Sequence, residues 1–227
     1  WQQIDQADQV ERWLRLTAEK NRLNRLFDAG LNASAGRRIR QSAQSSLMVI
    51  FDQLAQTLFV PADFEWVFAP EQANALRLEA NGPRSVWLRG KIDRVDRRID
   101  TDNGPFRIID YKSGQRTVDY EALYHGLALQ LPVYLAAYAR AHPGAEAADA
   151  AWFVVNRPIL TIKNNQTLQE EKLRGELQKL QKPVSLQLEP PDLALLCRHA
   201  LKRASDSAQT LLAGRFPVCP AKLPGRR

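Results

Sequence analysis

The chain has 227 residues, a formal net charge of +7 and an isoelectric point near 9.6. At this length a folded chain buries roughly 70% of its unfolded surface, so stability needs no disulfide or structural metal; two cysteines, Cys197 and Cys219, exclude a disulfide framework and fit a reducing, intracellular setting. No run of about 18 apolar residues exists, which excludes a membrane-spanning helix, and "WQQIDQADQVERW" lacks the basic start and apolar core of a signal peptide.

From Trp1 to about Phe27, Val10, Trp13, Leu14, Leu16, Leu23, Leu26 and Phe27 recur at the spacing of an amphipathic helix. "DAGLNASAGRR" (Asp28 to Arg38) reads as a break, and a second helix is expected from Ser42 to Leu58, ended by Pro61. "FEWVFA", "ALRLEA", "SVWLRGKIDRVDRRI" and "PFRIIDYK" alternate or carry β-branched and aromatic residues, as strands do. A helix follows, about Tyr120 to Ala141, with Leu123, Leu127, Leu131, Leu135 and Tyr138 as its inner stripe. "AAWFVVN" is a short apolar strand that "ILTI" (Ile159 to Ile162) can pair with. Gln166 to Lys182 and Asp192 to Ala213 are helical in pattern, the second capped by Gly214. The order predicts a mixed α/β domain: residues 1–60 form a helical N-terminal part and residues 61–227 the core with its C-terminal helices. The chain opens inside a helical pattern without Met and ends "CPAKLPGRR", so it is expected to be a piece of a longer polypeptide.

The stretch from Gly90 to Gly114 carries the chemistry. Asn103-Gly104 is a hairpin signal, because a type I′ turn needs positive φ at both central positions. A two-residue loop sets Val95 opposite Lys112 and Arg97 opposite Asp110; a four-residue loop, Thr101 to Gly104, sets Asp93 opposite Lys112. Opposed residues share a face and a strand repeats every two residues, so either register puts Asp93, Asp110 and Lys112 on one surface. Two nearby carboxylates repel unless a cation sits between them. Mg²⁺ takes such hard oxygen ligands and keeps several waters, and a neighbouring Lys can stabilise charge developing on a phosphate. The same residues also suit the wet face of an ordinary hairpin, where a cross-strand ion pair contributes about 0.2–1 kcal/mol.

"GKIDRVD", then "IIDYKSG", then "LQLPVYLAAY" resembles the RecB-type branch of the PD-(D/E)XK nuclease superfamily. Within it, the similarity is closest to the C-terminal nuclease domains of AddB- and RecB-like proteins. The motifs span Gly90 to Tyr138, and the layout matches from about Phe64 to Pro217. The resemblance implies a restriction-endonuclease-like core, with a mixed, mainly antiparallel sheet flanked by helices. It gives Asp93 and Asp110 as metal ligands, the backbone carbonyl of Tyr111 as a further ligand and Lys112 as the catalytic lysine. It also gives Gln130 and Tyr134, four apart on one helical face, as residues that organise the site and contact DNA.

Two features depart from the family. Its site usually takes another ligand, often a His, from a helix before the sheet, and the three histidines here (His125, His142, His199) all follow the hairpin. Glu65 is the substitute candidate. AddB-like domains often hold an iron–sulfur cluster on four cysteines; Cys197 and Cys219 alone cannot build one, so a cluster is expected only with cysteines of a longer parent protein.

Arg94 and Arg116 flank the motif and are the expected DNA contacts, since the guanidinium fork suits phosphate. Arg37, Arg38 and Arg40 read as a solvated surface, and Trp66, Trp87 and Trp152 as core. The implied function is a Mg²⁺-dependent DNA nuclease (Mn²⁺ substituting), an exonuclease that processes DNA ends in double-strand break repair and recombination. DNA and a helicase module or subunit are the implied partners, and the bacterial cytoplasm, at the nucleoid, the implied location. The alternative is a non-catalytic DNA-binding or assembly module of a helicase–nuclease complex that has lost a metal ligand.

Overall fold

The computed structural model describes residues 6–20, 33–78, 85–101, 104–114, 116–155 and 185–215. The strand expected at Ile159 to Ile162, the helix at Gln166 to Lys182, Asn103 and Cys219 lie outside them. The chain divides into two compact units. One comprises Trp1–Thr57, Tyr111–Gln115 and Phe153–Leu160; the other comprises Leu58–Asp110, Arg116–Trp152 and Thr161–Arg227.

The first unit holds helices α1 (Gln6–Lys20) and α2 (Ala33–Ala55), which pack together. α2 starts nine residues before the expected Ser42. Ala33, Ala35, Arg37 and Arg38 are strong helix formers, and together they outweigh the single Gly36. Within this unit the Ser46 hydroxyl donates to the Val155 carbonyl (3.2 Å), and the Val155 amide donates to the Lys112 carbonyl (2.9 Å).

The main sheet has β1 (Phe59–Phe68), β4 (Gly90–Arg98), β5 (Phe106–Lys112) and β6 (Ala147–Val154) in the order β1-β4-β5-β6, all in the second unit except Tyr111–Lys112 and Phe153–Val154, which count with the first. A separate two-stranded sheet joins β2 (Leu76–Leu78) to β3 (Val86–Leu88). β1 and β4 are antiparallel, with an irregularity between Pro61 and Asp63, where proline has no amide to give the ladder. β4 and β5 are antiparallel, with Arg94 opposite Ile109 and Arg97 opposite Phe106. Both registers expected from sequence are therefore superseded. The Arg98 amide bonds the Pro105 carbonyl, and the Gly104 amide closes a turn onto the Thr101 carbonyl at 3.3 Å. A Cβ on Gly104 would lie 2.0 Å from Thr101 Oγ1, so a larger residue there requires the Thr101 side chain to turn away. The Phe106 amide bonds the Glu146 carbonyl, while the end of β5 meets Val155, so β6 runs parallel to β5. Such a pair needs a long crossover, supplied here by two helices.

Those helices replace the single one expected from Tyr120 to Ala141. α3 (Tyr120–Tyr124) is capped by Asp119, whose carboxylate accepts from the Ala122 amide at 2.9 Å. Gly126, at φ +78°, turns the chain, and α4 (Gln130–Ala141) begins afresh. Pro132 supplies the reason: it would break the interior of one long helix but is tolerated in the first turn of α4. Leu127 is exposed as a result, while Leu123, Leu131, Leu135 and Tyr138 are buried as expected. α5 (Pro190–Leu212) opens on proline and is followed by Gly214 at φ +68°. One core joins Phe68, Ile92, Val95, Phe106 and Ile108 of the sheet to Leu131, Leu135 and Tyr138 of α4 and Leu193 of α5.

Candidate active site

The β4–β5 ladder, continued one residue past Arg94 and Ile109, sets Asp93 directly opposite Asp110. The observed register differs from each expected one by a whole number of residue pairs, so the faces are unchanged. Asp110 is 2% exposed and Asp93 half-buried. Gln130, the first residue of α4, donates from Nε2 to Asp110 Oδ1 at 2.7 Å and to the Tyr134 hydroxyl at 3.1 Å. The helix restart at Gln130 thus aims an amide at the carboxylate, and the i, i+4 spacing brings the tyrosine alongside. Lys112 lies two residues beyond Asp110 on the same strand and is half-buried, and strand period assigns it the same face. Tyr111 alternates to the other face, its ring 5.3 Å from that of Phe153.

Gly90 opens β4 because no side chain fits. A Cβ there would lie 2.5 Å from Phe68 Cζ and 3.2 Å from Tyr134 Cε1. Next to it, Lys91 forms an ion pair with Glu65. Glu65's hydrogen bond, then its charge, raises the Lys91 pKa, and the Asp93 charge adds a smaller pull in the same direction. Sequence reasoning missed Lys91. The signal was present, because a residue two before Asp93 on a strand shares its face.

Glu65 lies opposite Asp93, between the pairs Phe64–Arg94 and Trp66–Ile92. Its backbone is left-handed (φ +52°), and its carboxylate is turned to the Lys91 ammonium at the exposed edge. Among the described residues no group of three or more His, Cys, Asp or Glu side chains is placed to hold a metal. The two aspartates still fit Mg²⁺ chemically, since that ion binds through one or two carboxylates and completes its shell with water and phosphate. Cys197 is the one cysteine among the described residues, and loss of solvent pushes its thiol up to about 12, away from the thiolate form that ligates metal.

Arg94 corrects an expectation. It is 1% exposed, donating from Nε to Asp96 Oδ1 at 2.5 Å and through its second nitrogen to Oδ2 at 2.8 Å. Arg107, directly across the ladder, donates to the same carboxylate at 3.0 Å. Strand alternation explains it: if Asp93 faces the site, Arg94 faces away. Arg116 is exposed on the segment leading into α3. Trp87, expected in the core, is 41% exposed, while Trp66 packs against Phe68, Tyr138 and His142. Tyr138 donates to Asp63 Oδ2 at 2.6 Å and stacks on His142 at 4.0 Å, so that histidine serves the packing behind the site.

The model of the PD-(D/E)XK nuclease superfamily matches residues 2–224. The chain is 30% identical over 225 residues to an ATP-dependent helicase/deoxyribonuclease subunit of Moorella thermoacetica, covering 81% of this chain and 20% of the relative. It is 32% identical over 191 residues to the protein of that name from Clostridium perfringens, covering 74% and 16%, and 31% identical over 179 residues to that of Bacillus cereus, covering 74% and 15%. The chain spans a fifth or less of the length of these relatives. A superfamily match over nearly every residue, on a mixed and mainly antiparallel sheet flanked by helices, establishes that the chain belongs to the PD-(D/E)XK nuclease superfamily.

Proposed function

We propose that this chain is a Mg²⁺-dependent deoxyribonuclease, with Mn²⁺ able to substitute, acting as an exonuclease on DNA ends in double-strand break repair and recombination. The observation that carries the reading is the buried Asp110 beside Asp93, fixed by Gln130 at 2.7 Å. Asp93, Asp110 and the Tyr111 carbonyl would hold the ion. Bound there, Mg²⁺ supplies a Lewis acid for the phosphate and a more acidic water. Gln130 keeps the Asp110 carboxylate in one orientation, so its charge is set before substrate arrives. Lys112 offers an ammonium to oxygens on which negative charge accumulates. Gln130, Tyr134 and Arg116 contact the backbone of the DNA, which makes binding tolerant of sequence. The burial of Arg94 removes it from this set. We further assign residues 61–227 as the nuclease core and 1–60 as its helical preface. The relatives' shared name, that of a helicase/deoxyribonuclease component, supports a helicase module as partner and the bacterial cytoplasm as the place of work.

The test is cleavage of labelled linear single- and double-stranded DNA with Mg²⁺, Mn²⁺ or EDTA, using the chain and its Lys112→Ala variant. Metal-dependent cleavage that vanishes in the variant is the expected result; full activity of Lys112→Ala refutes the assignment. A second reading draws on the lack of a third ligating side chain beside the two aspartates among the described residues. In it the domain is a DNA-binding or assembly module, with salt-sensitive DNA binding and no cleavage under any metal.

A further inference from the structure

Lys91 stands beside the carboxylate site, two residues before Asp93 on β4, which is about 7 Å at 3.4 Å per residue. Asp93 and Tyr134 both act electrostatically on its ammonium. The ladder sets Lys91 opposite Val67 on β1 and Asp93 opposite Glu65, so the Lys91–Glu65 ion pair runs diagonally across the two strands. Its two side chains are 53% and 61% exposed. An ion pair so open to water contributes little to stability, and another anion can displace it at small cost. The backbone of Glu65 is left-handed, at φ +52°, a conformation that strains a residue with a Cβ and that gathers at binding sites. Glu65 also borders an open groove lined by Trp66, Gln72, Asn74 and His142, so its side chain can leave Lys91 without displacing a packed neighbour.

A nucleic-acid strand that reaches Asp93 and Asp110 brings its phosphates toward two carboxylates, which repel them. A cation next to the pair offsets that repulsion. Arg94 cannot supply it, because it is buried against Asp96. Lys91, on the other side of Asp93, is exposed and held only by a partner that water already screens. We propose that Lys91 binds a backbone phosphate of the strand held at the carboxylate site and gives up Glu65 to do so. The identity of that strand as nucleic acid rests on the nuclease reading. Glu65 is then a competitor for the Lys91 ammonium, and removing its charge strengthens binding through Lys91.

The test is anisotropy of a labelled thymidine 20-mer with the full chain in EDTA at several salt concentrations, with cleavage measured separately in Mg²⁺. Lys91→Gln should weaken binding about threefold and lower the salt slope by about 0.7, the value for one phosphate contact on a single strand. Lys91→Arg should restore both. Glu65→Gln should tighten binding about threefold in the parent and have no effect in the Lys91→Gln background, where the competitor has nothing to hold. A role in folding alone would weaken binding in both single variants. Equal affinity and salt slope for Lys91→Gln and the parent overturn the proposal. Equal tightening by Glu65→Gln on both backgrounds also overturns it, since Glu65 would then act by general repulsion. Metal-dependent cleavage with Lys91 idle removes this contact and keeps the nuclease. Binding through Lys91 with no cleavage in Mg²⁺ keeps the contact and refutes the nuclease, and no binding by the parent refutes both.

Discussion

Asp96 is the residue on which the buried side of the sheet depends. It is 0% exposed and holds two guanidiniums, Arg94 and Arg107, that are themselves 1% exposed. Burial pulls the Arg107 pKa down; the charge of Asp96, and more weakly that of Asp149, pulls it back up. Removing one partner of a buried ion pair leaves uncompensated charge, which costs about 3–5 kcal/mol. Asp96→Ala should therefore lose about that much stability in urea unfolding, and a loss below about 1 kcal/mol would show that water reaches the pair. On the opposite face, Gln130→Ala should cost about 1–3 kcal/mol, because a buried carboxylate loses a donor, and should slow cleavage by freeing Asp110 to rotate; the measurement is kcat with DNA in excess. Much of this scale was legible. Asp93, Asp110 and Lys112 share a face in any register that preserves pair parity, so their grouping depended on the turn only through that parity, which a three-residue loop would have broken. Arg94 was misjudged by sequence proximity to the motif, although the same period of two that groups the aspartates turns it away.

At the scale of elements, three glycines and one proline decide where the site residues stand. Gly126 and Pro132 split the expected long helix, and the split makes Gln130 the first residue of α4. The repeating leucines suggested continuity, but apolar spacing does not report where a proline is tolerated. Gly104 closes its turn on Thr101, which lengthens the loop and shifts the ladder past both expected registers. Turn chemistry was visible in the sequence, and so were the two loops Asn103-Gly104 and Thr101–Gly104; the register that the ladder takes, with Arg94 opposite Ile109, was not. Gly90 gives the sharpest test. Phe68 is buried and pairs directly with Gly90, so its ring has little room to yield to a Cβ at 2.5 Å. Overpacking of this kind costs about 1–3 kcal/mol, which for a chain of this size lowers the melting temperature by about 2–12 °C. Gly90→Ala should do so and also slow cleavage, since the added methyl presses on Tyr134, the hydrogen-bond partner of Gln130. An unchanged melting temperature would mean that β4 can move away from Phe68.

For the molecule as a whole, the sequence reports what each segment can become better than which distant segments meet. The helices of the first unit take in residues Phe153–Leu160, and one link is the Ser46–Val155 hydrogen bond, 109 positions apart. Nothing local to either residue announces it. Cys197 is the opposite case: its place in a helical pattern foretold packing, and it lies half-buried against the core, with a consequence for stability against pH. The thiol is pushed up to about 12 from an ordinary 9.0, chiefly by loss of solvent, with Arg198 pulling weakly the other way. Below pH 9 the group is protonated in folded and unfolded chains alike and contributes no pH dependence. Between 9 and 12 the unfolded chain releases the proton while the folded chain keeps it, so stability falls as pH rises, by at most about 1.4 kcal/mol per unit. Tyr138, raised by burial and then by its hydrogen bond to Asp63, adds a fall of the same sign above its ordinary 10.0. Cys197→Ala removes the first contribution and leaves the second. Urea unfolding at pH 8 and pH 10 should show the parent losing about 1 kcal/mol more over that interval than the variant. Equal losses would place the Cys197 thiol in contact with water and assign the alkaline sensitivity to other groups.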